Sequence, residues 1–116
     1  MSMSPGDMDA VFHALAHETR REILDLLKGD PGQGVGKLAA HFDVSRIAIM
    51  NHLAVLEKAG LVTSQKEGRE RRLFMNIVPI QMIYDRWSDT YSEHWASKLT
   101  AIKYAAERAA SQKERE

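Results

Sequence analysis

Hydrophobic positions recur at helical spacing along most of the chain and switch to strict alternation only once. Val11, Phe12, Leu15 and Ala16 form the first cluster, opened by Asp7 or Asp9, and predict a short helix over residues 7–16. Residues before Asp7 carry no pattern and are read as loose. A second helix is expected from His17-Glu18-Thr19, where Glu18 suits the positive helix end. It runs through Ile23, Leu24, Leu26 and Leu27 and stops at Gly29. Gly29-Asp30-Pro31-Gly32-Gln33-Gly34 is dense in turn formers and predicts a loop. Val35, Leu38, Ala39 and Phe42 then space a short third helix over residues 35–42, and Asp43-Val44 is a tight connection.

The fourth helix carries the clearest signals. Ser45 is a ready N-cap, and Gly60 follows the last periodic residue, where a left-handed residue ends a helix. Ile49, Leu53 and Leu56 share one side, with Ala48 and His52 at its edge. Ile47, Asn51, Ala54 and Lys58 share the other, flanked by Arg46 and Met50. Leu61 to Lys66 reads as a strand, Glu67-Gly68-Arg69 as a turn and Glu70 to Ile77 as a returning strand. In that strand Leu73, Met75 and Ile77 alternate with Arg72, Phe74 and Asn76, the period of a half-buried surface. Pro79 suits the first position of a last helix reaching about Lys113.

These elements predict a mainly α fold with a small β-hairpin, in the order α-α-α-α-β-β-α. A short helix, a brief turn, a capped helix and a basic hairpin are the layout of a winged helix-turn-helix, with residues 35–59 as the helix-turn-helix and 61–77 as the wing. A chain of 116 residues fits one domain, 1–116. The apolar stripe of the last helix holds Ile80, Ile83, Tyr84, Trp87, Tyr91, His94, Trp95, Leu99, Ile102 and Ala106. Its first part, Ile80 to Trp87, is expected to fold back on the core. The rest is too long and aromatic for one small domain to cover, so a second copy of the chain is the simplest partner. Residues 7–16 and 79–113 are therefore expected to be dimerisation helices. A twofold pair would set two fourth helices roughly 34 Å apart, one turn of B-DNA. A small apolar ligand near Trp87, Tyr91 and Trp95 is the alternative use of that stripe.

Composition narrows the chemistry. Hydrophobic residues make up 44% and charged residues 28%, an ordinary globular balance. Sixteen basic residues face sixteen acidic ones, so any nucleic-acid surface must come from placement and not from net charge. With no Cys, disulfides, thiolate metal sites and Cys nucleophiles are excluded. No run approaches a membrane span and Met1-Ser2-Met3-Ser4-Pro5-Gly6 lacks a signal-peptide core, so the expected address is cytoplasmic. The outward side of the fourth helix offers an Arg for guanine or phosphate, an Asn for adenine and aliphatic groups for thymine methyls. Around the hairpin tip, Lys66, Arg69, Arg71 and Arg72 outnumber Glu67 and Glu70, which suits phosphate contact, a solvated turn being the plainer alternative.

Ala14-Leu15-Ala16-His17-Glu18-Thr19-Arg20-Arg21-Glu22-Ile23-Leu24 resembles the opening signature of the ArsR-type bacterial repressors. Leu38-Ala39, Ser45, His52-Leu53, Val55-Leu56-Glu57, Ala59-Gly60-Leu61-Val62 and Gly68-Arg69-Glu70-Arg71-Arg72 extend the likeness over about Asp9 to Leu99. Trp87, Tyr91, His94-Trp95 and Leu99 resemble a metal-independent subgroup, with His94 where its pattern has Phe. The resemblance implies a homodimeric regulator of transcription bound to double-stranded operator DNA. It implies an interface of first and last helices, involving Phe12, Leu15, Trp87, Tyr91, His94, Trp95, Leu99 and Ile102. It also implies DNA contact by Ser45, Arg46, Ile47, Met50, Asn51 and His52, and by Arg69 and Arg71 in the wing, to which the charge pattern of the hairpin adds Lys66. Members often place Gln, Thr, Ser, Lys or Arg where this chain has Ile47, Met50 and Asn51, which leaves thymine-methyl contact and weak direct readout both open.

Many such relatives sense metals, and the ligand spacing here is poor. Asp85 is followed at the second place by Trp87, and His94 by Ser97 three residues on, so the paired-ligand pattern of the last helix is broken. His13 and His17 have i, i+4 spacing yet straddle an expected helix boundary. No metal and no cofactor is expected. Phosphate loops, nucleophile elbows and His-Glu-x-x-His are missing, so no enzyme is expected either. The resulting expectation is a repressor of its own operon, bound to an inverted repeat. A winged-helix protein-interaction module and a histidine-based metal-responsive repressor are the competing readings.

Overall fold

The computed structural model describes the backbone of residues 3–115, and the side chains of these residues except 89–96 and 112–115. Two compact units divide the chain, one up to Ile83 and one from Tyr84 onward. The first holds α1 (Pro5–Leu15), α2 (Glu18–Gly29), β1 (Gln33–Gly34), α3 (Val35–Ala39), α4 (Arg46–Lys58), β2 (Val62–Glu67) and β3 (Glu70–Met75). The last helix, α5 (Val78–Arg115), contributes its first six residues to that unit and the remainder to the second.

Helix α1 starts earlier than the hydrophobic pattern indicates. Ser4 Oγ accepts from the Asp7 amide at 3.1 Å, and the Asp7 carboxylate accepts from the Ser4 amide at 3.4 Å. This capping box, with Pro5 in the first turn, orders residues 4–6, which the sequence reading left loose. His17 caps α2 through Nδ1, which accepts from the Thr19 amide at 3.1 Å. Helix α3 ends at Ala39, short of the expected Phe42, because the chain tightens into three-residue turns: His41 N donates to Leu38 O and Phe42 N to Ala39 O, both at 3.1 Å. Phe42 still packs on the core from that turn.

The expected loop at residues 29–34 contains a strand. β1 pairs antiparallel with β3, Gln33 opposite Leu73 and Gly34 opposite Arg72, giving a three-stranded sheet in the order β1-β3-β2. Gly32 leads into it with φ +86°, and its amide donates to Leu73 O at 2.8 Å. β3 stops at Met75, two residues before the expected end, and Ile77 is exposed instead of pointing inward. Asn76 turns the chain there: its amide donates to Leu61 O (2.8 Å), its side chain donates to Gly60 O (2.9 Å) and its Oδ1 accepts from Val78 N (3.2 Å).

One core joins all these elements. Val11, Ile23, Leu27, Leu38, Ile49, Leu53, Leu56, Leu61 and Leu73 are fully buried, and Ile80 and Ile83 pack against them. Burying each such aliphatic side chain is worth about 1.5–3 kcal/mol. Ile49, Leu53 and Leu56 supply the whole inner side of α4, so this helix is fixed along its length and its other side is committed to solvent. In the second unit Tyr84, Trp87, Leu99, Ile102 and Tyr104 are exposed. Ile80 and Ile83, at the start of the expected stripe, pack on the core of the first unit. Tyr91, His94 and Trp95 lie outside the residues whose side chains are described.

Candidate nucleic-acid interface

Helix α4 begins at a side-chain cap, Ser45 Oγ accepting from the Ala48 amide at 3.1 Å, and ends before Gly60, whose φ of +77° no β-carbon would tolerate comfortably. The capped first turn therefore projects Arg46, Ile47, Met50 and Asn51 outward, all exposed. Ile47 is 71% exposed, more than any other large hydrophobic among the described residues. Neither Arg46 nor Asn51 makes a side-chain hydrogen bond or ion pair with the described residues; both are free for a partner outside the chain.

Two polar clusters hold the helix in place. Arg20, only 8% exposed, donates from Nε to Ala14 O (2.8 Å) and from Nη2 to His13 O (2.9 Å), closing the end of α1. Its Nη1 stands 3.4 Å from His52 Nδ1, and the His52 ring lies against His17 with centroids 4.5 Å apart. Burial, then the neighbouring His17 and Arg20, lower the His52 pKa below its usual 6.5. His52, expected near DNA, is thus half-buried and engaged with α2. The second cluster joins α4 to the wing, where the Arg71 guanidinium donates to the Glu57 carboxylate.

The hairpin closes with a two-residue turn, Gly68-Arg69, so Glu67 and Glu70 face each other across the tip. Gly68 takes φ +63°. Lys66 and Arg69 are exposed at this tip, whereas Arg72 pairs with Glu67 (3.1 Å) and Glu70 (3.2 Å). Between the wing, the Pro31–Gly36 segment and the start of α4 runs an open groove of about 710 Å³. Lys37, Arg46, Arg69, Arg71 and Arg72 line it against Asp30 and Glu70, a local cationic excess in a chain with no net charge. A cationic groove beside an outward helix carrying free Arg and Asn suits a polyanion with readable edges.

Comparison with known proteins agrees with that geometry. Residues 15–65 match the family model described as a helix-turn-helix domain. The uncharacterized HTH-type transcriptional regulator YuzN of Bacillus subtilis (strain 168) is 39% identical over 88 residues, 71% of this chain and 96% of that protein. The transcriptional repressor SdpR of the same organism is 36% identical over 74 residues, 64% and 81% of the two chains. Among solved structures, an ArsR-like transcriptional regulator from Rhodococcus sp. RHA1 is 39% identical with a TM-score of 0.63, covering 87% of this chain and 93% of that one. The chain belongs to the ArsR family.

This ArsR-family protein is a DNA-binding transcriptional regulator built on a winged helix-turn-helix. Of its expected DNA-contacting residues, Ser45, Arg46, Ile47, Met50 and Asn51 come together on the first turns of α4, and Lys66 and Arg69 at the wing tip. Arg71 turns to Glu57 and His52 to Arg20, so both brace α4 in this structure. Of the expected interface residues, Phe12, Trp87, Leu99 and Ile102 are exposed and Leu15 is partly packed on the core. Sequence reasoning missed the role of Arg20 although it lies within the family signature, and it missed Lys37, which lines the groove while bonded to Asp30 at 2.7 Å. Among the described residues no three His, Asp or Glu side chains gather as a metal site, and no helix is long and apolar enough to cross a membrane.

Proposed function

We propose that this regulator is a cytoplasmic homodimer that binds an inverted-repeat operator upstream of its own gene and represses transcription there without a metal. The free Arg46 and Asn51 on the outer side of a helix whose inner side is fully buried carry this reading. Arg46, Ile47, Met50 and Asn51 enter the major groove, with Ser45 at their start, while Lys66 and Arg69 engage flanking phosphates. Repression is the role in the name of the relative SdpR and is adopted here on that likeness. A second copy is supported by the exposed Trp87, Leu99 and Ile102 on one helix and Phe12 on another, apolar surface that water leaves unsatisfied.

The test is binding of the purified protein to the DNA upstream of its gene, with a salt titration. Specific binding that weakens steeply with salt, together with a dimer in sedimentation, is expected. Equal affinity for random DNA, or a flat salt response, overturns the operator reading; a monomer that binds the operator fully overturns the dimer. The exposed Ile47 and Met50 also favour a second reading, a module that docks a protein partner. Replacing both by Ser then abolishes partner capture and leaves DNA binding intact.

A further inference from the structure

The outer side of α4 joins polar readers to a bare apolar surface. At about 100° per residue, Ile47, Asn51 and Ala54 lie on one narrow arc opposite Ile49, Leu53 and Leu56, with Met50 at its edge. Ile47 is 71% exposed and Met50 44%, and the two stand one turn apart on the half of the helix nearest its capped end. The central side chain of the arc is thus a branched aliphatic with no hydrogen-bonding capacity. On the edges of base pairs in the major groove the only matching apolar group is the thymine 5-methyl. Arg46 beside Ile47, and Lys37 and Arg69 across the adjoining groove, surround this apolar patch with cations, which favours a polyanion over an apolar protein face.

We propose that Ile47 and Met50 read thymine 5-methyl groups, with Asn51 bonding an adjacent adenine, so that the operator half-site is selected for thymine opposite the first two turns of α4. This inference rests on the reading that α4 enters the major groove, and goes beyond it by naming the feature read. The full-length protein is used to select duplexes from a randomised thymine-containing library. The selected duplex is then resynthesised with deoxyuridine in place of single thymidines, which removes the methyl and leaves base pairing unchanged. Affinity is expected to fall about fourfold at each thymine that meets Ile47 or Met50, equivalent to about 0.8 kcal/mol per methyl buried. Ile47→Ala is expected to bind the thymine duplex more weakly and to lose discrimination at one of the sensitive thymines, the one that meets Ile47, while keeping it at the thymine that meets Met50. Its melting temperature serves as the folding control, expected unchanged because the side chain is exposed.

Selection of a defined duplex that tolerates deoxyuridine at every position overturns the methyl reading and leaves the regulator reading intact. Failure to enrich any duplex, with binding indifferent to salt, overturns both. An Ile47→Ala protein that discriminates against deoxyuridine at the same set of positions, and as strongly, as the parent overturns the role given to Ile47.

Discussion

Arg20 and Arg21 stand side by side in the first turn of α2, and each donates to a carbonyl at the end of α1 over 2.8 Å, Arg20 to Ala14 and Arg21 to Leu15. Their surroundings differ. Arg20 is buried, with a second bond to His13 O at 2.9 Å and His52 at 3.4 Å, while Arg21 is exposed. A hydrogen bond to a charged donor contributes about 1.5–3 kcal/mol when sheltered from water, and its loss takes the partner from the buried Ala14 carbonyl, while His13 O keeps the Ala16 amide at 3.2 Å. Arg20→Ala is therefore expected to cost about 3–4 kcal/mol, a large share of the roughly 5–15 kcal/mol that holds a typical domain folded. Arg21→Ala loses one bond that water replaces and is expected to cost less than about 0.5–1 kcal/mol. Arg20→Lys keeps the charge but not the planar fork, and falls between them. Urea denaturation measures all three, and Tm should fall by roughly 12–32 °C for Arg20→Ala at about 4–8 °C per kcal/mol. Equal losses for the two alanine variants would refute the claim that burial, not bond length, decides the worth of these contacts.

Acid should weaken the same cluster. The folded His52 has its pKa below 6.5, so the unfolded chain binds the extra proton more readily and stability rises with pH through that window. The contribution is full above pH 6.5 and is lost as pH falls from there through the folded value. Comparing urea midpoints at about pH 7.5 and pH 5.5, His52→Gln should show a shallower acid loss than the parent, and equal slopes would exclude His52 as the source. Two glycines should respond in opposite directions. Gly32→Ala places a Cβ in a left-handed residue 3.4 Å from the Phe74 ring and should cost about 1–2 kcal/mol. Gly36→Ala meets nothing within 4 Å inside α3 and should stabilise by about 0.5–1 kcal/mol, both read from denaturation midpoints.

What the sequence made legible follows from which interactions are local. Spacing alone marked the inner side of α4, because Ile49, Leu53 and Leu56 repeat at the helical period, and Ser45 and Gly60 announced its ends. The free outer residues Arg46, Ile47 and Asn51 followed from the same arithmetic. β1 was hidden because Gln33 and Gly34 add only main-chain bonds to β3, and two residues are too few to show a period. The Ser4 capping box was overlooked because Asp7 holds the place where Glu or Gln is usual. The Arg20 cluster was hidden for a different reason: its link to His52 spans 32 residues, and only the fold brings the two together. Lys66 and Arg69 could be read as exposed wing cations, but no count of charges could tell them from Arg71, which is spoken for by Glu57.

That pairing changes what Arg71 does. Its guanidinium and Glu57 are about one-third exposed, so the ion pair adds at most about 1 kcal/mol to stability. Its importance is geometric: Glu57 lies near the end of α4 and Arg71 near the wing tip, so the contact ties the outward helix to the hairpin. Under the proposed operator reading, Arg71 is therefore expected to act as a positioning residue. Arg71→Gln and Glu57→Gln should weaken operator binding to a similar extent, the double variant should be little worse than either, and the slope of log affinity against log salt should stay at the parent value. A phosphate-contacting Arg71 behaves otherwise. Its loss lowers the slope by about 0.9, and Glu57→Gln, by releasing it, tightens binding. Filter binding across a salt series separates these outcomes, and a tighter Glu57→Gln protein would return Arg71 to the list of direct DNA contacts.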